Sequence, residues 1–232
     1  MPGIRVVTYN IQHGCDLDGY LDLDLCGRVL EDLGPDIIAL QEVDRHRWRT
    51  RLKDQARVLA RRLGMYHVYG AVMDYCPGSY GNAILSRWPI QYVTNHIMTP
   101  QTDRRCCLEA GILVGETPLK VLALHLGLKS FDRLQQVRYT VIPLVRGIDQ
   151  PCIAVGDFNA SAGFPEIKLM LEHMTDSFVM NSGAEQNSFP ADKPTIRIDY
   201  IFTVNCKAVD CRIISDALAS DHLPVTAEID LF

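Results

Sequence analysis

Residues 151–160 read Pro151-Cys152-Ile153-Ala154-Val155-Gly156-Asp157-Phe158-Asn159-Ala160, an apolar run that stops abruptly at Gly-Asp-x-Asn. Such a run reads as a buried strand. Asp157 and Asn159 are two apart, so they point to the same side if the pleat continues through them. A carboxylate beside a side-chain amide at a strand's end makes an oxygen-rich corner suited to a hard cation or a phosphoryl oxygen. Gly, Asp and Asn are also turn formers, and this stretch alone leaves an ordinary turn as an equal reading.

The same pattern recurs on either side. Ile4 to Asn10 is β-branched and aromatic, hence a strand, and it ends in Asn10. Asp36 to Glu42 ends in Glu42, a strand starting at Asn82 runs to Ser86, and Val121 to His125 ends in a histidine. Asp199 lies in the alternating run Ile196 to Phe202, and Asp221-His222 sits between strands at Val209 to Ile214 and Val225 to Leu231. Asp22 and Asp54 can cap helices whose apolar faces are Leu23, Cys26, Leu30, Leu33 and Ala56, Leu59, Ala60, Leu63, closed by Gly34 and Gly64. Ser130 opens a longer helix that Pro143 should kink or shorten. Residues 181–195 are polar and contain proline, and read as a surface loop. Strand–helix alternation in the first half gives way to consecutive strands. This predicts a mixed sheet or two packed sheets with helices outside, in one domain over residues 1–232.

Composition narrows the class. The chain has 232 residues, is 47% hydrophobic and carries a formal net charge of −5. It can bury a substantial core, and nothing suggests the globally basic face used for sequence-independent nucleic-acid binding, although a local patch stays open. The eight cysteines form no CxxC pair and several fall in apolar strand-like runs. Reduced thiols in a reducing compartment are therefore preferred over disulfides or zinc, and a cytoplasmic location is expected. No signal-peptide pattern is visible, and no apolar stretch is long enough to span a bilayer. A soluble monomer is the expectation.

The polar strand ends form a coherent inventory. Carboxylates suit a divalent metal, amides orient, and two histidines transfer protons. There is no Gly-rich phosphate loop and no Gly-x-Ser-x-Gly elbow. Arginines interleaved with a Trp in Asp44-Arg45-His46-Arg47-Trp48-Arg49-Thr50-Arg51 are either a phosphate grip or a solvated loop of alternating charge. Arg47 and Arg49, with Arg105, are the candidates for contacting substrate. His13, His46, His67, His96 and His173 read as structural or exposed.

The motifs Thr8-Tyr9-Asn10-Ile11, Leu40-Gln41-Glu42-Val43, Gly81-Asn82-Ala83-Ile84-Leu85-Ser86, Leu124-His125-Leu126, Gly156-Asp157-Phe158-Asn159, Ile198-Asp199-Tyr200-Ile201 and Ser220-Asp221-His222-Leu223-Pro224 occur in that order over residues 8–224. In this the chain resembles the endonuclease/exonuclease/phosphatase superfamily. The resemblance implies a four-layer α/β/β/α sandwich of two mixed β-sheets flanked by helices, an α+β (α/β) fold with the site at one end of the sheets. It implies phosphoester cleavage with Mg²⁺ or Mn²⁺. By the same resemblance, Glu42 is the main metal ligand with Asn10 and Asp221 beside it, and His222 is the general base oriented by Asp199. Asp157 and Asn159 hold the nucleophile and the phosphoryl oxygens, His125 donates to the phosphate or its leaving oxygen, and Asn82 lies near the phosphate.

Departures from the family pattern narrow the substrate class. Inositol polyphosphate phosphatases carry an Arg shortly after Gly-Asp-x-Asn, where this chain has Ala160-Ser161-Ala162. The extended apolar hairpin of some sphingomyelinases is not evident. Three readings follow: a phosphodiesterase, with nucleic acid among its substrates; a hydrolase of a small phosphoester or phospholipid headgroup; and a catalytically inactive binding protein on the same fold. The second is allowed by the compact, acidic chain, and the third is disfavoured because every catalytic-type position is filled.

Overall fold

A computed structural model describes residues 3–98, 104–180 and 187–231. Twelve strands appear among them: β1 Ile4–Asn10, β2 Ile37–Arg45, β3 Tyr66–Asp74, β4 Ser79–Ser86, β5 Ile90–Met98, β6 Arg105–Val114, β7 Thr117–His125, β8 Cys152–Asp157, β9 Thr175–Asp176, β10 Asp199–Val204, β11 Lys207–Ile213 and β12 Val225–Asp230. They form two six-stranded mixed sheets, ordered β11-β12-β1-β2-β4-β3 and β5-β6-β7-β8-β10-β9. The parallel pairs are β1–β2 and β7–β8.

The two sheets face each other across an apolar layer that includes Val6, Ile37, Ile84, Leu108, Val121, Val155, Ile201 and Val225. On the outer face of the first sheet, Val7, Tyr9, Ile38 and Leu40 pack with Leu30 of α1 Leu23–Leu33 and Leu59 of α2 Gln55–Leu63. On the outer face of the second, Leu122, Leu124, Ala154 and Phe202 pack with Val137, Val141, Ile167 and Met170. These last four come from the helical segment 130–145 and from α5 Pro165–Leu171. Strand alternation produces the arrangement, because odd and even positions of Val6-Val7 and Ile37-Ile38 go to different layers. The result is the expected four-layer α/β/β/α sandwich.

Both predicted caps form. Asp22 accepts a hydrogen bond from the Leu25 N–H and Asp54 from the Arg57 N–H, and Gly34 and Gly64 close the helices in the left-handed region. All eight cysteines are free. No helix of the described residues is long and apolar enough to cross a membrane.

Several expectations change. Strand β4 begins at Ser79, so Asn82 lies inside it rather than at its start. Strand β2 runs past Glu42 to Arg45, with a register shift between Leu40 and Val43, and Glu42 sits at φ 59. Such a bulge re-aims a side chain, and a non-glycine residue in the left-handed region is held there only by its surroundings. Pro143, expected to kink or shorten its helix, follows a change of helix type and lies two residues before the helix ends. The segment runs as α3 Ser130–Gln136, a π-helical stretch Val137–Val141 and α4 Ile142–Val145, and the wide turn accommodates the residue that has no N–H. Part of the expected surface loop, residues 181–186, lies outside the described residues. The remainder does not lie on the surface throughout, because Ser188 is fully buried.

Candidate active site

Each sheet contributes one row of side chains to the same end of the sandwich. Strands β1 and β2 end there, whereas the antiparallel strands β4 and β12 begin there. In the second sheet β7 and β8 end there, and β6 and β10 begin there. The first row therefore runs His222 with Asp221, just ahead of β12, then Asn10, Glu42 and Tyr80. The second runs Asp199, Asp157 and His125, and β6 opens beside them with Arg105 and Cys106. Strands β12, β1, β2 and β4 contact β10, β8, β7 and β6 respectively, so the rows meet residue against residue. The sequence disperses these groups over more than two hundred positions, and sheet order alone collects them.

The innermost pairs are closed by hydrogen bonds. His222 Nδ1 lies 2.9 Å from Asp199 Oδ2. Asn10 Nδ2 donates to Asp157 Oδ2 at 3.1 Å, lies 3.4 Å from Glu42 Oε1 and 3.5 Å from His222 Nε2. His125 Nε2 is 3.5 Å from Asp157 Oδ2. Asp157 and Asn159 realise both readings of their stretch. The Asn159 N–H donates to Asp157 Oδ1 at 2.8 Å with Asn159 at φ 49, a turn, and that turn forms the floor of the site. The pleat does not continue through Asn159. Its amide instead donates to the Leu126 carbonyl at 3.0 Å, which joins the loops after β7 and β8.

Charge sets the protonation. Burial lowers the His222 pKa, but the charge and hydrogen bond of Asp199, with Asp157 and Asp221, outweigh it and the net shift is upward. Burial raises Asp157; His222 opposes this and Asp199 reinforces it, leaving the carboxyl well above its ordinary range. Asp221 is raised by burial, and Glu42 adds to the rise against His222. Burial also acts to raise Glu42, but contact with His13, the nearness of His125 and the Asn10 amide bring it down to about 2. His125 is lowered to about 3 by burial and by the charge of Arg105. Four carboxylates thus converge, and the site retains protons on Asp157 and His222 to offset them.

That excess of negative charge fits a divalent cation. Glu42 supplies an ionised, partly exposed carboxylate and Asp221 a second in the same row, oxygen donors for a hard ion. The Asn10 amide beside them turns its Nδ2 to Glu42, while its Oδ1 accepts from the Gln12 N–H. Asp157, Asp199 and His222 also bring one ligand atom each within 4.8 Å of one another. Their atoms are already engaged with one another and with Asn10, the pattern of a proton-handling group rather than of a vacant cage.

The remaining predicted residues fall further out. Arg105 is buried at the mouth and its Nε donates to the Leu126 carbonyl at 3.1 Å. Asn82 is buried one turn of the pleat inward of Tyr80, its amide given to the carbonyls of Cys106 at 3.1 Å and Ala123 at 3.4 Å. Its amide thus ties the two sheets together. Arg49 pairs with the buried Asp44 through Nε and Nη2, at 2.6 and 2.8 Å. Arg47 lies over the ring of Tyr75, its Cζ 3.3 Å from the ring centroid.

Four residues escaped the sequence reading. Ser188 Oγ donates to Asp199 Oδ2 at 2.6 Å, and Phe189 packs on the His222 ring with centroids 4.7 Å apart. Nothing in a polar, proline-containing stretch signals this. His13, expected to be structural or exposed, has Nδ1 3.8 Å from Glu42 Oε2; its place in the polar segment after β1 was the available signal. Tyr80 shares the inward face of β4 with Asn82, which the alternation of β4 would have shown had its start been placed at Ser79.

The model of the Endonuclease/Exonuclease/phosphatase family matches residues 7–222. The uncharacterized protein YbhP of Escherichia coli K12 is 30% identical over 173 residues, covering 70% of this chain and 68% of its own. A functionally unknown conserved protein from Enterococcus faecalis superposes with a TM-score of 0.83 at 19% identity, covering 99% of this chain and 100% of its own. The mannosyl-6-phosphatase Bt3783 of Bacteroides thetaiotaomicron superposes with a TM-score of 0.80 at 19% identity, covering 98% and 99%.

Proposed function

The chain belongs to the endonuclease/exonuclease/phosphatase family, and on that premise we propose that it is a divalent-metal-dependent phosphoester hydrolase acting on phosphodiesters. The observation that carries the reading is the His222–Asp199 contact of 2.9 Å, with the far ring nitrogen of His222 turned toward Asn10 and Asp157 beside Glu42.

Asp199 accepts from His222 Nδ1 and so leaves Nε2 as the basic nitrogen of the neutral ring. Ser188 and Phe189 hold that pair in place. His222 Nε2 takes a proton from water oriented by Asp157 and Asn10. Asp199 stabilises the imidazolium as it forms. His125, neutral because it is buried beside Arg105, donates a hydrogen bond to a phosphoryl oxygen or the leaving oxygen, with Asn159 and Arg105 near it. Glu42, Asp221 and Asn10 would hold a Mg²⁺ or Mn²⁺ ion, which would supply Lewis-acid stabilisation of the phosphoryl charge and would offset the carboxylates that retain the proton on His222. Glu42, Asp199 and Asp221 crowd the site with negative charge, so a diester, with one formal charge, enters at lower electrostatic cost than a monoester with two.

A second reading, hydrolysis of a small phosphoester or phospholipid headgroup, draws on one observation: a mannosyl-6-phosphatase is among the proteins of this fold. Turnover with Mg²⁺ or Mn²⁺ separates the two. Wild type and Asp157→Ala are compared on plasmid DNA, single-stranded DNA, RNA, bis-p-nitrophenyl phosphate, p-nitrophenyl phosphate, sphingomyelin and inositol phosphates. Metal-dependent cleavage of diesters, lost in the variant, is the expected result. Cleavage of monoesters alone establishes the second reading, and no cleavage of any substrate defeats both.

A further inference from the structure

Three pairs of the facing rows, His222–Asp199, Asn10–Asp157 and Glu42–His125, account for the proposed chemistry. Tyr80 on β4 and Arg105 on β6 lie one strand further along each sheet; Arg105 enters that chemistry only through its charge beside His125, and Tyr80 has no part in it. Tyr80 lies on the inward face of β4, two residues before Asn82, which reaches the carbonyl of Cys106. Arg105 starts on the other face of β6 beside Met98, and its charge acts on the Tyr80 hydroxyl. Tyr80 is partly buried, and its hydroxyl has no hydrogen-bond partner among the described residues. The hydroxyl lies within the field of Glu42, Arg105, Arg49 and Asp157.

Arg49 closes this end. Its Cζ lies 5.7 Å from the centroid of the Tyr80 ring. The buried Asp44 fixes the guanidinium through Nε and Nη2, which leaves Nη1 without a partner among the described residues. A donor hydroxyl and a fixed guanidinium edge beside it, with the charge of Arg105 acting on the same hydroxyl, are groups that bind an anionic oxygen.

The geometry points to a second phosphate subsite formed by Tyr80 and Arg49, with the charge of Arg105 behind it, which takes a phosphate of the substrate other than the one that reacts. The inference rests on the proposed hydrolase reading for the position of the reacting phosphate. Strands lie about 4.8 Å apart, so the subsite is roughly 5–7 Å along the cleft from the Asn10–Glu42 corner. That span suits two phosphates separated by a sugar or another polyol. It does not suit two phosphates sharing one bridging oxygen.

Calorimetric binding in Mg²⁺ tests the subsite without requiring turnover. Thymidine 3′,5′-bisphosphate is compared with thymidine 5′-phosphate, and myo-inositol 1,4-bisphosphate with myo-inositol 1-phosphate. At least one bisphosphate should bind wild type about tenfold tighter than its monophosphate, and which one does identifies the nucleotide or polyol source. Tyr80→Phe, which keeps the ring, should remove most of that advantage and leave monophosphate binding within about twofold. Arg49→Met should act the same way but leaves Asp44 unpaired, so Tyr80→Phe is the deciding variant; Arg57→Ala, on α2, is the control. Equal affinities in wild type overturn the subsite, as does a Tyr80→Phe protein that retains the full advantage or loses both ligands alike. A Tyr80-dependent advantage in a protein that hydrolyses nothing keeps the subsite and overturns the hydrolase reading alone.

Discussion

Asp157 and Asp199 are direct cross-strand partners on β8 and β10, two buried carboxylates side by side in one ladder. Like charges in that relation repel, and no sheet places them so for stability. His222 lies between them, 2.9 Å from Asp199 and 3.8 Å from Asp157. Burial and Asp199 raise the Asp157 pKa, so the folded protein binds a proton there that the unfolded chain releases at a lower pH. Stability therefore falls as pH rises from the ordinary Asp range toward about 7. Asp157→Asn should abolish turnover yet stabilise the metal-free protein by about 1 kcal/mol, a rise of roughly 2–4 °C in Tm. The gain should grow between pH 4 and pH 7. A thermal melt series in EDTA checks it, and a variant less stable than wild type at pH 8 contradicts the account.

The two site histidines should titrate in opposite directions. Burial and Arg105 keep His125 neutral down to about pH 3, whereas the surrounding carboxylates hold the proton on His222 above its ordinary range. Side-chain ¹⁵N spectra of the metal-free protein should show His125 as a single neutral tautomer from pH 5 to 8 and His222 as imidazolium over the same range. Mg²⁺ should lower the His222 pKa, because a cation near Glu42 opposes the charges that raise it. An imidazolium at His125 at pH 6 would remove it as a neutral donor.

His222→Ala and Asp199→Asn separate the base from its orienting group. The first should lower kcat by about 10²–10⁴ while Mn²⁺ binding, followed by electron paramagnetic resonance, persists. Asp199→Asn should act in the same range, because an amide can present its N–H to Nδ1 and favour the wrong tautomer. Full activity in either variant contradicts the assignment of the base.

The core of the sandwich was legible because period-two alternation and capping chemistry are local: Val6-Val7, Asp22 and Gly34 each state their role within a few residues. The inner pairs of the site were legible through motifs that end strands, such as Asn10 and His125. What was hidden depends on partners distant in sequence. The bulge that turns Glu42 back toward the cleft arises from its register against β4. Ser188 and Phe189 gain meaning only once their segment folds onto Asp199 and His222. Arg49 looks like a free phosphate grip until Asp44, buried beneath it, takes two of its nitrogens.

A buried ion pair outside the chemistry positions the loop after His125. Arg133 and Glu166 are both buried and paired, and Arg133 Nη1 also donates to the carbonyls of Leu128 at 2.6 Å and Gly127 at 3.3 Å. Glu166→Gln should destabilise the fold by about 3–5 kcal/mol, because it leaves the Arg133 charge buried without its counter-ion. The double variant Arg133→Met with Glu166→Leu should recover most of that loss, since it removes both charges. Urea denaturation measures both, and a double variant no better than the single one contradicts the charge argument.

Glu42 provides the test of the cation site. It occupies φ 59 at the bulge, and its carboxylate is ionised at neutral pH. Glu42→Gln keeps shape and volume but removes the charge, so binding of Mg²⁺ should weaken by at least about 10–100-fold by calorimetry. Removing that carboxylate also lessens the local negative charge, which should lower the His222 pKa in the metal-free protein. The two effects have a common cause and opposite consequences: the variant holds its proton less firmly but lacks the ligand. Activity should therefore be lost at low Mg²⁺ and return in part as the concentration rises. Wild-type Mg²⁺ affinity in Glu42→Gln would place the cation elsewhere, with Asp157 and Asp199 the next ligands to test.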